Sequence, residues 1–222
     1  SNTAQTTTTS TSKNKTNNSN YFTDKDKDSS YDESKASTVK LSGSSASVSG
    51  DGVAVSGSTV TISKAGTYVI SGESDGVQIK VEAGDSDDVH IVLKGVTMTN
   101  TNAPISATKA GHVYLTLADG TTNTLSDSSS NSDEDADAVI FSKGDLTING
   151  SGTLNIDAKK NNGIKANDTL HITGGTYKIT AVGDAFNVND ELNITGTTMT
   201  IDADEDAVKV DNDEDTSVGT MY

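Results

Sequence analysis

From Thr38 onward the chain alternates apolar and polar residues in short runs, each broken by Gly, Asn or Asp. Val60 and Ile62, Val89 and Ile91, Val113 and Leu115, Leu146 and Ile148, and Leu154 and Ile156 each stand two residues apart. That spacing puts them on one face of a strand. Thr and Val fill the runs, and no helix former recurs at helical spacing, so the pattern predicts an all-β chain. The single proline, Pro104, fits a strand edge or a turn.

The runs themselves repeat. Leu146-Thr-Ile148 returns as Leu170-His-Ile172 and as Leu192-Asn-Ile194. Leu154-Asn-Ile156 returns as Tyr177-Lys-Ile179 and Met199-Thr-Ile201. A third set aligns Val139-Ile-Phe141 with Ile164-Lys-Ala166, Phe186-Asn-Val188 and Val208-Lys-Val210. Three strands per unit of about 22 to 25 residues predict the coils of a parallel β-helix, in which no unit covers its own apolar side but stacked units form one core. The chain after residue 37 has room for about eight coils, roughly 38 Å of stacked strands. In residues 38–88 the repeat blurs; that stretch reads as a capping region, and a two-sheet sandwich stays open there. By strand parity Phe141, Tyr177 and Phe186 are expected in the core. Tyr114, between inward Val113 and Leu115, is expected to face solvent.

Residues 1–37 read differently. They are Ser, Thr, Asn, Lys and Asp with almost no apolar content, too little to offset the entropy of ordering them. They read as a tether, with the aromatics of residues 21–32 available to dock on the domain. A spacer from a cell surface and a plain disordered end are both open. Residues 38–222 are then the β-helix domain.

Composition narrows the function. Sixteen lysines, with no arginine, face 32 acidic residues, a net charge of −16, which speaks against nucleic acid or an anionic membrane surface as partner. The lack of cysteine removes disulfides, thiol catalysis and Cys-ligated zinc. His90, His112 and His171 are scattered without metal-ligand spacing, and none sits in a recognisable nucleophile context. No apolar run approaches membrane-spanning length, so direct membrane insertion is not expected, and the start reads like that of a processed chain.

The repeat also stacks polar residues. Asp137, Asn162, Asp184 and Asp206 precede the third strand of successive coils, and Asp168, Asp190 and Asn212 follow it. Carboxylates one strand spacing apart repel by about 1 kcal/mol in water and by about 3 to 4 at an effective dielectric of about 20. A hard cation relieves such a ladder, and oxygen donors without His or Cys point to Ca²⁺. The plainer alternative is that Asp and Asn serve the turns, where they hydrogen-bond locally. Asp133-Glu134-Asp135 and the tail 211–215 read as solvated acidic runs.

The stretches YDESKASTVKLSG, GTYVISG, LKGVTMTN, APISATKAGHVYLTLADGTTNTLSD, FSKGDLTINGSGTLNI and NNGIKANDTLHITGGTYKIT resemble the clostridial carbohydrate-binding domain family of secreted β-helix proteins. The resemblance covers residues 21–215. It implies a right-handed, pectate-lyase-like parallel β-helix, bound Ca²⁺, and binding of cellulose and polygalacturonic acid without demonstrated lyase activity. The family's late coils usually read Asp-Gly-Ile. Here Ala replaces Gly in Asp184-Ala185-Phe186 and Asp206-Ala207-Val208, and Asn162-Gly163-Ile164 keeps Gly without Asp.

Three functions follow. The first is a non-catalytic polysaccharide-binding module, extracellular and held to the cell surface by the tether. At this charge it needs calcium to bridge a polyuronate, and for neutral glucan it has Tyr114 as an exposed strand aromatic. The second is a β-helix lyase, in which Lys165 or Lys209, at matching outward positions of the third strand, takes the proton beside the uronate carboxyl. The third is a structural or adhesive solenoid.

Overall fold

The structure is a computed structural model that describes residues 21–212 and 219–221. The first 20 residues of the expected tether and residues 213–215 of the acidic tail lie outside the described residues. Two hairpins open the domain. β1 (Ser37–Gly43) pairs antiparallel with β2 (Ser45–Ser49), and β3 (Val53–Ser56) with β4 (Thr59–Ile62). Every later pairing is parallel. β5 (Gly66–Asp75) and β7 (Asp88–Thr99) are long strands, each followed by a short one, β6 (Gln78–Glu82) and β8 (Ile105–Lys109).

From there each coil has three strands. They are β9 (His112–Leu117), β10 (Thr122–Ser126) and β11 (Ala138–Ser142), then β12 (Asp145–Gly150), β13 (Thr153–Ala158) and β14 (Asn162–Ala166). β15 (Thr169–Thr173), β16 (Thr176–Ala181) and β17 (Phe186–Val188) follow, then β18 (Glu191–Thr195), β19 (Thr198–Ala203) and β20 (Val208–Val210). β21 (Thr220–Met221) pairs with β18.

First strands stack as β5-β7-β9-β12-β15-β18, second strands as β7-β10-β13-β16-β19, and third strands as β4-β6-β8-β11-β14-β17-β20. Leu146, Leu170 and Leu192 stand level, as do Leu154, Tyr177 and Met199. These rows form one continuous apolar core in which Tyr177 and Phe186 are buried. Toward the C-terminal end the cover thins, and Ile194, Met199, Ile201, Val208 and Val210 are only half-buried.

The third-strand alignment is one residue off at β11. Ile140, not Val139, stands level with Ile164, so Phe141 stands level with Lys165 on the outward face. A one-residue shift exchanges the two faces of a strand. Phe141 is still buried, but in a satellite cluster with Ala103 and Ala136, outside the main core.

Residues 21–36 also differ from the tether expected over 1–37. Helix α1 (Asp24–Lys27) is capped by Thr23, whose side chain accepts the Asp26 N–H while the Asp26 carboxylate accepts the Thr23 N–H. Tyr31 and Ala36 pack on Val69, Val92 and Ala118, and Lys94 pairs with Glu33. This strap lies across the outward face of the first strands.

Candidate functional site

The face under the strap is built by strand parity. Thr67, His90, Tyr114, Thr147, His171 and Asn193 occupy successive levels of one outward column. Asp88, His112 and Asp145 form the column on one side, and Val92, Thr116, Asn149 and Thr173 the column on the other. All three histidines of the chain therefore share one face.

Hydrogen bonds fix their tautomers. The Thr147 hydroxyl donates to Asp26 Oδ1 at 2.7 Å, so its oxygen must accept from His112 Nε2, also at 2.7 Å. By the same argument Thr116 donates to Asn149 Oδ1 and accepts from His90 Nε2 at 2.7 Å. His171 gives its Nδ1 proton to Asp26 Oδ2 at 2.9 Å, and its Nε2 faces the Asn193 amide at 3.2 Å. The buried Oδ1 of Asn193 receives no donor among the described residues.

Asp26 is the hub, 1% exposed. Burial alone would raise its pKa. The hydrogen bonds from Thr147, the Thr23 N–H and His171 outweigh that and hold the carboxyl below its ordinary value. Strap carbonyls are held too: Asn149 Nδ2 donates to the carbonyls of Asp26 and Asp28, and Thr173 Oγ1 to that of Asp26. Burial lowers the pKa of His90 and of His112.

Tyr114 points outward as expected, yet it does not face solvent. It is 8% exposed, because the Lys25 ammonium lies 4.7 Å above its ring on the way to an ion pair with Asp88. His112 stacks on the same ring, with centroids 4.0 Å apart and planes 10° from parallel. Burial and the nearby carboxylates of Asp88, Asp26 and Asp145 push the phenol pKa up to about 12. Beside the strap runs a groove of about 410 Å³ lined by Tyr21, Asp26, His112, Tyr114, Asp145 and His171. A second hollow of about 230 Å³, lined by Asp28, Thr67, Asp88 and His90, lies across Lys25 from it.

The acidic columns take a different form from the expected ladder. Because β11 is shifted, Ala138 and not Asp137 stands level with Asn162. Asp137 instead accepts from Asn161 Nδ2 and pairs with Lys165 at 2.6 Å. Asn162 Oδ1 accepts the Asp184 N–H at 3.1 Å, and Asp184 Oδ1 accepts the Asp206 N–H at 3.0 Å while its Oδ2 accepts from Asn187. N–H donors thus occupy the Asn162 and Asp184 oxygens, and hydrogen bonds tie successive coils together at this column. Asp206 is exposed.

The second column is different. Asp190 accepts from Asn212 Nδ2 at 2.8 Å, whereas the Asp168 carboxylate receives no donor among the described residues. Partial burial and repulsion by Asp145 and Asp190 raise the Asp168 pKa. Its chemistry fits a hard cation, although among the described residues no three acidic or histidine side chains converge as a metal cage. Lys165 is committed to Asp137 and to the Asp135 carbonyl. Lys209 stands two levels away, exposed. The histidine row escaped sequence reading because the coil between His112 and Asp145 carries the long 127–137 loop. Counting strands outward from the Leu146–Leu170 repeat would have found it.

A family profile described as carbohydrate-binding domain-containing protein matches residues 56–222. The chain belongs to this family. A carbohydrate-binding domain-containing protein of Acetivibrio thermocellus is 39% identical over 128 residues, 55% of this chain and 45% of the relative. The match thus spans less than half of that relative's length. The solved structure of a polysaccharide lyase-like protein from C. thermocellum, a gadolinium derivative, superposes with a TM-score of 0.66 at 25% identity. That superposition covers 84% of this chain and 96% of the other. The carbohydrate-binding domain match begins at residue 56, after the strap.

Proposed function

We propose that the chain is a non-catalytic polysaccharide-binding module for plant cell-wall glycans, cellulose or polygalacturonate, displayed outside the cell. Its frame is read as a right-handed, pectate-lyase-like β-helix of about eight coils. The observation that carries the reading is the groove beside the strap. It carries a dense set of side-chain donors and acceptors beside a stacked Tyr114–His112 pair that Lys25 covers, the placed polar groups and adjoining aromatic surface that sugar rings require. Calcium enters at Asp168 and Asp190, where a cation would neutralise crowded carboxylates and allow a polyuronate to approach a chain of charge −16.

The second reading is a lyase, favoured by the lyase-like description of the solved neighbour. Lys165 argues against it, since proton abstraction would require it to leave the Asp137 ion pair. The deciding experiment is titration calorimetry of oligogalacturonate and cello-oligosaccharide into the full chain, with calcium and after chelation, following absorbance of the unsaturated elimination product. Saturable heat without new absorbance is expected. Product absorbance would overturn the non-catalytic reading, and no heat with either glycan would overturn polysaccharide binding.

A further inference from the structure

We propose that the cradle under α1 is a subsite for the carboxylate of an acidic sugar, filled in cis by Asp26, so that the strap and a uronate-bearing glycan compete for it. This rests on the polysaccharide-binding reading and adds to it the place, the chemical class and the competitor.

The sheet supplies a carboxylate cradle that survives loss of the strap. Of the donors on Asp26, Thr147 and His171 belong to the solenoid, and only the Thr23 N–H would leave. Both are oriented by partners of their own, Thr147 by His112 and His171 by Asn193. Such preorganised donors suit an anion because little reorganisation is needed when it binds. Asn149 and Thr173 hold strap carbonyls beside the carboxylate, and sugar hydroxyl or ring oxygens would accept the same bonds.

The strap also hides the surface that a sugar ring needs. Lys25 covers Tyr114, and its departure would bare the Tyr114–His112 stack at the edge of the cradle. The contacts of α1 with the sheet are mostly polar, with Phe22 meeting the His171 ring edge-on at 5.4 Å. Apolar anchorage lies further along, at Tyr31 and Ala36. Residues 21–28 can therefore lift about a point that stays attached. Charge favours exchange over addition. Asp145, Glu191 and the bound carboxylate already crowd the groove, so a uronate enters where Asp26 leaves and the charge of the site is conserved.

The test uses the full chain and Asp26→Ala. Trigalacturonate binding by calorimetry is expected to tighten about tenfold in Asp26→Ala, the value of roughly one charge-assisted hydrogen bond. Thr147→Val added to that variant is expected to abolish the gain, with thermal denaturation checking that both remain folded. Independently, saturating trigalacturonate should speed amide hydrogen exchange at residues 24–28 of the unaltered chain, and cellotriose should not. Unchanged affinity in Asp26→Ala together with unchanged strap exchange, while glycan still binds, overturns this inference and leaves polysaccharide binding standing. An equal gain for cellotriose overturns the carboxylate specificity. Absence of binding by every glycan to both proteins overturns the inference and the polysaccharide reading together.

Discussion

Asp184 reaches across one coil spacing and accepts the backbone N–H of Asp206 on Oδ1 at 3.0 Å. Asn162 does the same for Asp184 one coil earlier. At the corner before the third strand the side chain of one coil thus completes the backbone hydrogen bonding of the next. That is a structural use of Asx residues at a turn, extended between coils.

Asp184→Ala leaves the Asp206 N–H and the Asn187 amide without their acceptor beside a side chain only 2% exposed. Denaturant unfolding should show a loss of about 2–4 kcal/mol. Asp184→Asn keeps the Oδ1 acceptor, as Asn162 does naturally, and Asn187 can turn its amide to match. It should cost less than about 1.5 kcal/mol and leave any calcium-induced rise in Tm unchanged.

The solenoid was legible because its first two strands alternate cleanly. Leu146, Leu170 and Leu192 carry the register through three coils, and Leu154, Tyr177 and Met199 repeat it. The third strand failed at β11 because residues 138–142 are buried throughout, leaving no alternation to set parity. Phe141 there is covered by Ala136 of the long loop, a contact no strand pattern encodes. Docking of residues 21–32 through their aromatics was open from the sequence, and Phe22 and Tyr31 do make such contacts. The polar Asp26 network was not legible, because it depends on Thr147 and His171, more than 120 residues away.

Phe141→Ala should therefore act differently from Phe186→Ala. Phe186 belongs to the main core, and its truncation should cost about 3–5 kcal/mol. Phe141 seals only the loop against β11, so its truncation should cost less and raise hydrogen exchange selectively in residues 127–137. Exchange mass spectrometry with denaturant unfolding reads both.

Gly150 and Gly120 both adopt positive φ, +87° and +70°. A Cβ at Gly150 would strike the Leu117 carbonyl oxygen of the neighbouring coil, whereas one at Gly120 meets nothing within 4 Å. Gly120→Ala should lose about 1 kcal/mol, the cost of the left-handed conformation, and Gly150→Ala at least about 2 kcal/mol more. Thermal unfolding of the two variants side by side checks the order.

Stability should fall as pH drops below neutrality. His90 and His112 have folded-state pKa values lowered by burial from 6.5, so the unfolded chain takes up protons first. Their contribution is full above about pH 6.5 and is lost as pH falls toward the folded values, by at most about 1.4 kcal/mol per pH unit for each histidine. Asp127 and Asp168, raised chiefly by burial, work the other way and return some stability nearer pH 4. Replacing both histidines with Gln should flatten the Tm profile between about pH 7 and 5.5.

Asp168 gives a prediction whose sign depends on calcium. Among the described residues its carboxylate faces Asp145 and Asp190 without a donor of its own, and its raised pKa means that the fold disfavours the charged form. In chelator, Asp168→Asn removes that repulsion and should raise stability slightly, by under about 1 kcal/mol, because solvent screens an exposed group. In calcium the order should reverse. The unaltered chain gains stability by binding the ion, by about 2.7 kcal/mol when the ion stands at about 100 times its dissociation constant, and the variant loses most of that gain. Scanning calorimetry of both proteins in chelator and in millimolar calcium measures the crossing. If Asp168→Asn is the more stable protein in both solutions, calcium has no seat at this column, and acidic-glycan binding must work through exchange at the Asp26 cradle alone.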